Sequence, residues 1–157
     1  MRWAYYGGEL TEYTATAPSP FADARASAIM LGMDGKSFFR LRVSGIDAKN
    51  KVYGVHLHQG TCDAADSVKA GPHYNVNWDP IKGLLGPVND KTEVWLDLDV
   101  NSDGYAGSTA TVSFIPKGER SIVLHAAPTV PSGPTVGTAG ARLACLPFNI
   151  KAYASGD

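Results

Sequence analysis

Cysteine is scarce in this chain, with only two, and no C-x-x-C pair occurs. That excludes a thioredoxin-like redox motif and a zinc knuckle. Long apolar runs are missing too: nothing approaches the ~20 consecutive residues that a membrane-spanning helix needs. Net charge is nearly absent, since 14 basic residues against 15 acidic ones leave −1. A balance of that kind argues against nucleic acid as a partner, which wants a basic patch, and against an anionic membrane surface. No export leader opens the chain although it begins at Met1, and the expectation is a mature form whose signal has been removed. Neither an internal repeat nor a convincing helical period is visible.

What is present points to a β protein. At 157 residues, with 44% hydrophobic and 18% charged residues, the chain can build one domain around a proper core. Glycine (17) and proline (10) are plentiful and the candidate strands are short, which favours an all-β sandwich or barrel. Residues 1–20 read as a tail with a first edge strand at Thr11 to Ala17. Ala24 to Met33 and Lys36 to Ser44 follow as strands. The second alternates, with Phe39, Leu41 and Val43 on one face and Phe38, Arg40 and Arg42 on the other. Asp34-Gly35 between them is a hairpin signal. Val76 to Thr92 has no clean period and reads as a long loop. Glu93 to Val100, Tyr105 to Ile115, Arg120 to His125 and Ala141 to Ile150 read as further strands. The whole gives about seven or eight short strands, as in a Greek-key sandwich or barrel.

The chemistry concentrates in Val52 to Asn75, which holds three of the four histidines and one of the two cysteines. His56 and His58 sit two apart among β-formers, so both rings point to one face, about 7 Å apart. His73 follows a Gly-Pro turn that can fold a loop back over that strand, and His125 ends the apolar run Ser121 to His125. Four imidazoles suit copper, zinc or nickel better than calcium or an iron–sulfur cluster. Cys62 and Cys145 are, by their spacing alone, a free pair, two metal ligands or one disulfide. If bridged, they close a very long loop worth roughly 4–5 kcal/mol in the chain-entropy model and imply an oxidising compartment. Asp99-Val-Asn101-Ser-Asp103-Gly104 imitates the opening of an EF-hand loop, but its twelfth position is Ala110. The missing bidentate Glu and the β flanks make it an Asx/Gly turn.

Five pieces, taken in order, resemble the copper/zinc superoxide dismutase family. They are Gly54-Val-His56-Leu-His58; Cys62 with Ala70-Gly-Pro-His73-Tyr-Asn75; Asp97-Leu98 with Asp103-Gly104; Ser121-Ile-Val-Leu-His125; and Gly137-Thr-Ala-Gly140-Ala-Arg142-Leu-Ala-Cys145. The resemblance runs from about Ala24 to Ile150. It implies an eight-stranded Greek-key β-barrel over residues 21–151, with tails at 1–20 and 152–157. It also implies one copper ion held by His56, His58, His73 and His125, a Cys62–Cys145 disulfide, and Arg142 beside the copper to attract superoxide. The activity implied is conversion of superoxide to oxygen and hydrogen peroxide by Cu(II)/Cu(I) cycling, with His73 as the moving ligand. Export to a periplasm, cell envelope or extracellular space goes with it.

Two departures stand out. The family's zinc site needs two further histidines after the bridging one, and none lies between His73 and His125. The chain thus resembles a copper-only branch with no zinc site. Ala126 to Ala141 also lacks any Lys, Arg, Asp or Glu, where the family carries a charged loop. Without zinc, the far nitrogen of His73 needs an acceptor to orient the ring; Asp97 and Glu93 are the candidates. The rival reading is an exported copper store or carrier with a dismutase-like fold and little turnover.

Overall fold

A computed structural model describes residues 1–153; residues 154–157, part of the expected C-terminal tail, lie outside them. Among the described residues there are twelve strands and two short 3-10 turns. The long strands are β1 (Arg2–Glu9), β3 (Arg25–Met33), β4 (Lys36–Ser44), β10 (Ala106–Val112), β11 (Gly118–His125) and β12 (Arg142–Ala152). Short ones fill between: β2 (Thr11–Glu12), β5 (Lys51–Tyr53), β6 (Val55–His58), β7 (Trp78–Asp79), β8 (Gly83–Leu84) and β9 (Leu98–Val100). The main antiparallel sheet runs in the order β10-β4-β3-β1-β12-β11-β6 and curls into a half-barrel. β5 pairs with β9, and β7 with β8, as separate small ladders.

Alternation decides which side chains go in. Phe39, Leu41 and Val43 of β4 are buried, as are Ala26, Ala28 and Met30 of β3 facing them. Each of the larger ones contributes about 1.5–3 kcal/mol on leaving water. Leu96, Leu98, Ile122, Leu124, Leu146 and Phe148 close the same core from the other strands. Asp34 and Gly35 both have positive φ, 54° and 75°, the conformation that a two-residue I′ hairpin requires.

Several stretches differ from expectation. The edge strand expected at Thr11 to Ala17 covers only Thr11–Glu12 before a 3-10 turn at Thr14–Thr16. The expected loop Val76 to Thr92 holds the short β7–β8 ladder. Residues 2–9 are not a tail: β1 lies between β12 and β3, paired with β3 from Arg2 through Glu9. Its alternation is obscured because Trp3 and Tyr5 on its outer face are as apolar as the core-facing Ala4. Glu93 to Val100 forms a ladder only over Leu98–Val100; before that it touches β6 through an isolated bridge, His56 to Trp95.

β12 organises the sheet. Its first part pairs with β11 and β2, and its last residues pair with β1. Cys145 in its middle is bonded to Cys62, with Cα atoms 5.8 Å apart, so the loop after β6 is tied to the last strand.

Candidate metal centre

β6 and β11 run side by side with Val123 opposite His56 and Ser121 opposite His58. His125 follows at the end of β11, where the pairing with β12 shifts register. The free edge of β6 is covered by two short segments. Tyr74 donates to the Leu57 carbonyl at 2.8 Å and Leu57 donates to the Val94 carbonyl at 3.2 Å. Gly71, at φ 69°, lets the chain turn back so that His73 bridges His58. The four imidazoles therefore meet. One ligand nitrogen from each lies within 4.8 Å of the others, and His56, His58 and His125 are buried.

The hydrogen bonds assign the nitrogens. His58 Nδ1 lies 2.9 Å from the Gly71 carbonyl and His125 Nδ1 lies 3.1 Å from the Gly140 carbonyl. A carbonyl only accepts, so both Nδ1 atoms carry the proton and both Nε2 atoms are bare lone pairs. Those two Nε2 atoms face each other at 3.2 Å. The Thr129 hydroxyl donates to Asp97 Oδ1 at 2.6 Å and so accepts from His56 Nε2 at 2.7 Å. His56 Nδ1 is then left buried with no hydrogen-bond partner. Bare nitrogens packed together without donors are costly to bury; a cation among them removes the conflict. The residues fit a metal ion, with His56 offering Nδ1 and the other three Nε2.

Burial pushes all three enclosed rings below their ordinary pKa, His125 to about 4 and His58 to about 2, with His56 lower still. The neighbouring imidazoles add to the effect. These rings stay neutral in the folded protein where the unfolded chain, with pKa near 6.5, takes up protons. The unfolded state therefore binds more protons as pH falls, and folding stability falls with it. Metal-free protein is expected to show a constant urea midpoint above about pH 7 and a steady fall from about pH 6.5 towards pH 4. A midpoint unchanged at pH 5 contradicts that expectation.

Of the two candidate carboxylates, Glu93 meets His73: its Oε1 accepts from His73 Nδ1 at 2.9 Å. The same oxygen accepts from Trp95 Nε1 at 3.0 Å, and Oε2 accepts from Asn75 Nδ2 at 3.0 Å. Burial alone would raise the Glu93 carboxyl; the hydrogen bonds from His73, Asn75 and Trp95 outweigh it and hold it below the usual range. Asp97 turns elsewhere. It accepts from the backbone N–H of Val55 and of Thr129, and from the Thr129 hydroxyl. It thus positions His56 through Thr129, not His73. Glu93→Ala frees the His73 ring, and metal affinity is expected to fall about 10–100-fold, read by competition with a chromophoric chelator. Equal affinity would remove Glu93 from this role.

Arg142 is half-buried and donates to two backbone carbonyls, Ser67 and Gly71, at 2.8 Å each. The Gly71 carbonyl is the one that also orients His58. The guanidinium therefore braces the loop that carries the ligands and puts a fixed positive charge near His58 and His125. Thr129, Asn75 and Trp95 gave no sequence signal as site residues. Thr129 sits in the charge-free loop, and its partner His56 is 73 positions away. The turn at Asn101 behaves as an Asx turn, its side chain accepting from the N–H of Asp103 and Tyr105.

The fold and site define an all-β protein with a buried four-histidine centre able to hold a metal ion. Among known proteins, no family model and no curated sequence matches the chain.

Proposed function

We propose that the chain is a copper-only superoxide dismutase. The observation that carries the reading is the engagement of His73: Nδ1 is held by Glu93, so the ring offers one nitrogen to one metal and none to a second. An all-imidazole set of four donors suits copper. Sheet neighbours far apart in sequence, β4 with β10 and β6 with β11, support the Greek-key barrel of that family. The Cys62–Cys145 disulfide supports an exported protein, since such bonds persist in oxidising compartments.

Copper would supply one-electron transfer in both directions, so that one superoxide is oxidised to oxygen and a second is reduced, with two protons, to hydrogen peroxide. The protein residues do the rest. Glu93 holds the Nδ1 proton of His73, which fixes Nε2 as the atom where the ring takes up and delivers a further proton. His56, His58 and His125 are locked by Thr129, Gly71 and Gly140 and keep their positions. Arg142 uses one N–H from each terminal nitrogen on backbone carbonyls, and its remaining N–H groups and charge are free to draw an anion.

The test is to load the purified protein with copper or zinc, determine bound metal by elemental analysis, and follow superoxide decay directly. Rapid decay with one copper per chain is expected. Tight copper without decay would replace the enzyme by a carrier, and absence of copper binding would end the reading. Arg142→Gln is expected to slow decay about tenfold at low salt and less at high salt, as loss of local positive potential predicts. The decay is read per bound copper, because Arg142 also braces the loop that carries His73.

A further inference from the structure

The net charge of −1 hides an uneven distribution. On the outward face of β12, β1, β3, β4 and β10, one ladder row reads Lys151, Trp3, Leu31, Phe38, Thr111. Trp3, Leu31 and Phe38 thus stand side by side across three strands, at 38%, 45% and 39% exposure. Tyr5 (65%), Met33 (60%) and Met1 (60%) extend the patch. A shallow apolar groove of about 270 Å³ runs through it, lined by Met1, Leu31, Met33, Phe38 and Thr111, with Lys36 at its rim. The cations Arg25, Lys36, Arg40, Arg42 and Lys151 are exposed on the same face. Against them stand Glu9, bridged to Arg25 at 3.8 Å, and Asp34 in the β3–β4 turn.

We infer that this face docks on an anionic lipid surface. Aromatic and long apolar side chains ringed by Lys and Arg suit the headgroup boundary, where rings enter the interface and cations meet lipid phosphates. A groove lined by Leu, Met and Phe, open along one side, takes an acyl chain. A second copy fits worse, because a two-fold contact sets these cations against one another. Nucleic acid wants a continuous cationic track, which the apolar row interrupts. The sheet order places β4 and β10 at the opposite end from β6 and β11, so docking leaves the histidine centre free. This inference does not depend on the dismutase reading.

The experiment is flotation with vesicles of phosphatidylglycerol and phosphatidylcholine, compared with phosphatidylcholine alone, at low and high salt. Binding to the anionic vesicles is expected, weakened by salt and absent from the neutral ones. The pair Lys36→Glu and Arg40→Glu is expected to cut partition at least ~20-fold, at roughly fivefold per charge. The pair Leu31→Gln and Phe38→Gln, which leaves the charges in place, should also weaken it. Unchanged thermal melting of both variants establishes that they fold. Absence of binding, equal binding to neutral vesicles, or insensitivity to both variants overturns the inference. So does sedimentation showing a dimer that buries this face, or tighter binding to a nucleic acid than to the vesicles.

Discussion

His58→Gln is expected to lower copper affinity by well over a hundredfold. The neighbours that merely orient a ligand are worth about 10–100-fold, so loss of a buried ligand nitrogen must exceed that. The Nε2 of His58 cannot be replaced locally: the ring is fully buried, and its partners are the Gly71 carbonyl and His125. Stability is expected to move in an instructive direction. In the metal-free protein His58 and His125 present lone pairs to each other at 3.2 Å, and glutamine offers His125 an N–H donor. The metal-free variant should therefore melt no lower than the metal-free parent. The parent alone should then gain on adding copper, since a ligand that binds only the folded state stabilises by about 2.7 kcal/mol at a hundred times its Kd. Calorimetry of both proteins with and without copper reads this. Equal copper stabilisation of parent and variant would mean that the four rings are not the site.

Removing the disulfide with Cys62→Ser and Cys145→Ser is expected to have the largest effect on folding. The bond spans a sequence separation of 83, for which the chain-entropy model gives about 4.5 kcal/mol. For a domain of this size that is a fall in melting temperature of roughly 10–20 °C. The loss should not stop at stability. Cys62 lies on the loop that goes on to Gly71 and His73, and both sulfurs pack in a small cluster with Tyr13, Ala70 and Val123. Freed from β12, that loop holds the His58 and His73 contacts less firmly, and copper affinity should fall with the melting point. A variant that melts as the parent does, and binds copper equally, would make the bond incidental.

Much of this was readable because period and residue type agree. The pair His56/His58 carries its own geometry, two positions apart on a strand. β4 and the Asp34-Gly35 turn follow the same logic, with alternation and a turn that demands positive φ. β1 was hidden because Trp3 and Tyr5 make its exposed face apolar, so no alternation of polarity survives. Gly7 and Gly8, within the same strand, weaken the signal further. Glu93 to Val100 alternates well, yet the ladder forms only at its end. The Asp97 carboxylate accepts from the Val55 N–H, a side chain standing where a backbone partner would be. That swap is a tertiary fact, invisible to pattern. For the same reason Asp97 and Glu93 could not be told apart as partners of His73. Both are acids on one alternating stretch, and only the bridge between Asn75 and Glu93 sets which one arrives.

The placement of β12 has a consequence for the order of events in the cell. Arg142, Cys145 and the partner strand of His125 all belong to this strand, which follows all four histidines in sequence, so the rings lack its support until β12 has docked. A metal ion held by all four rings would therefore sit in a chain whose β12 has already docked.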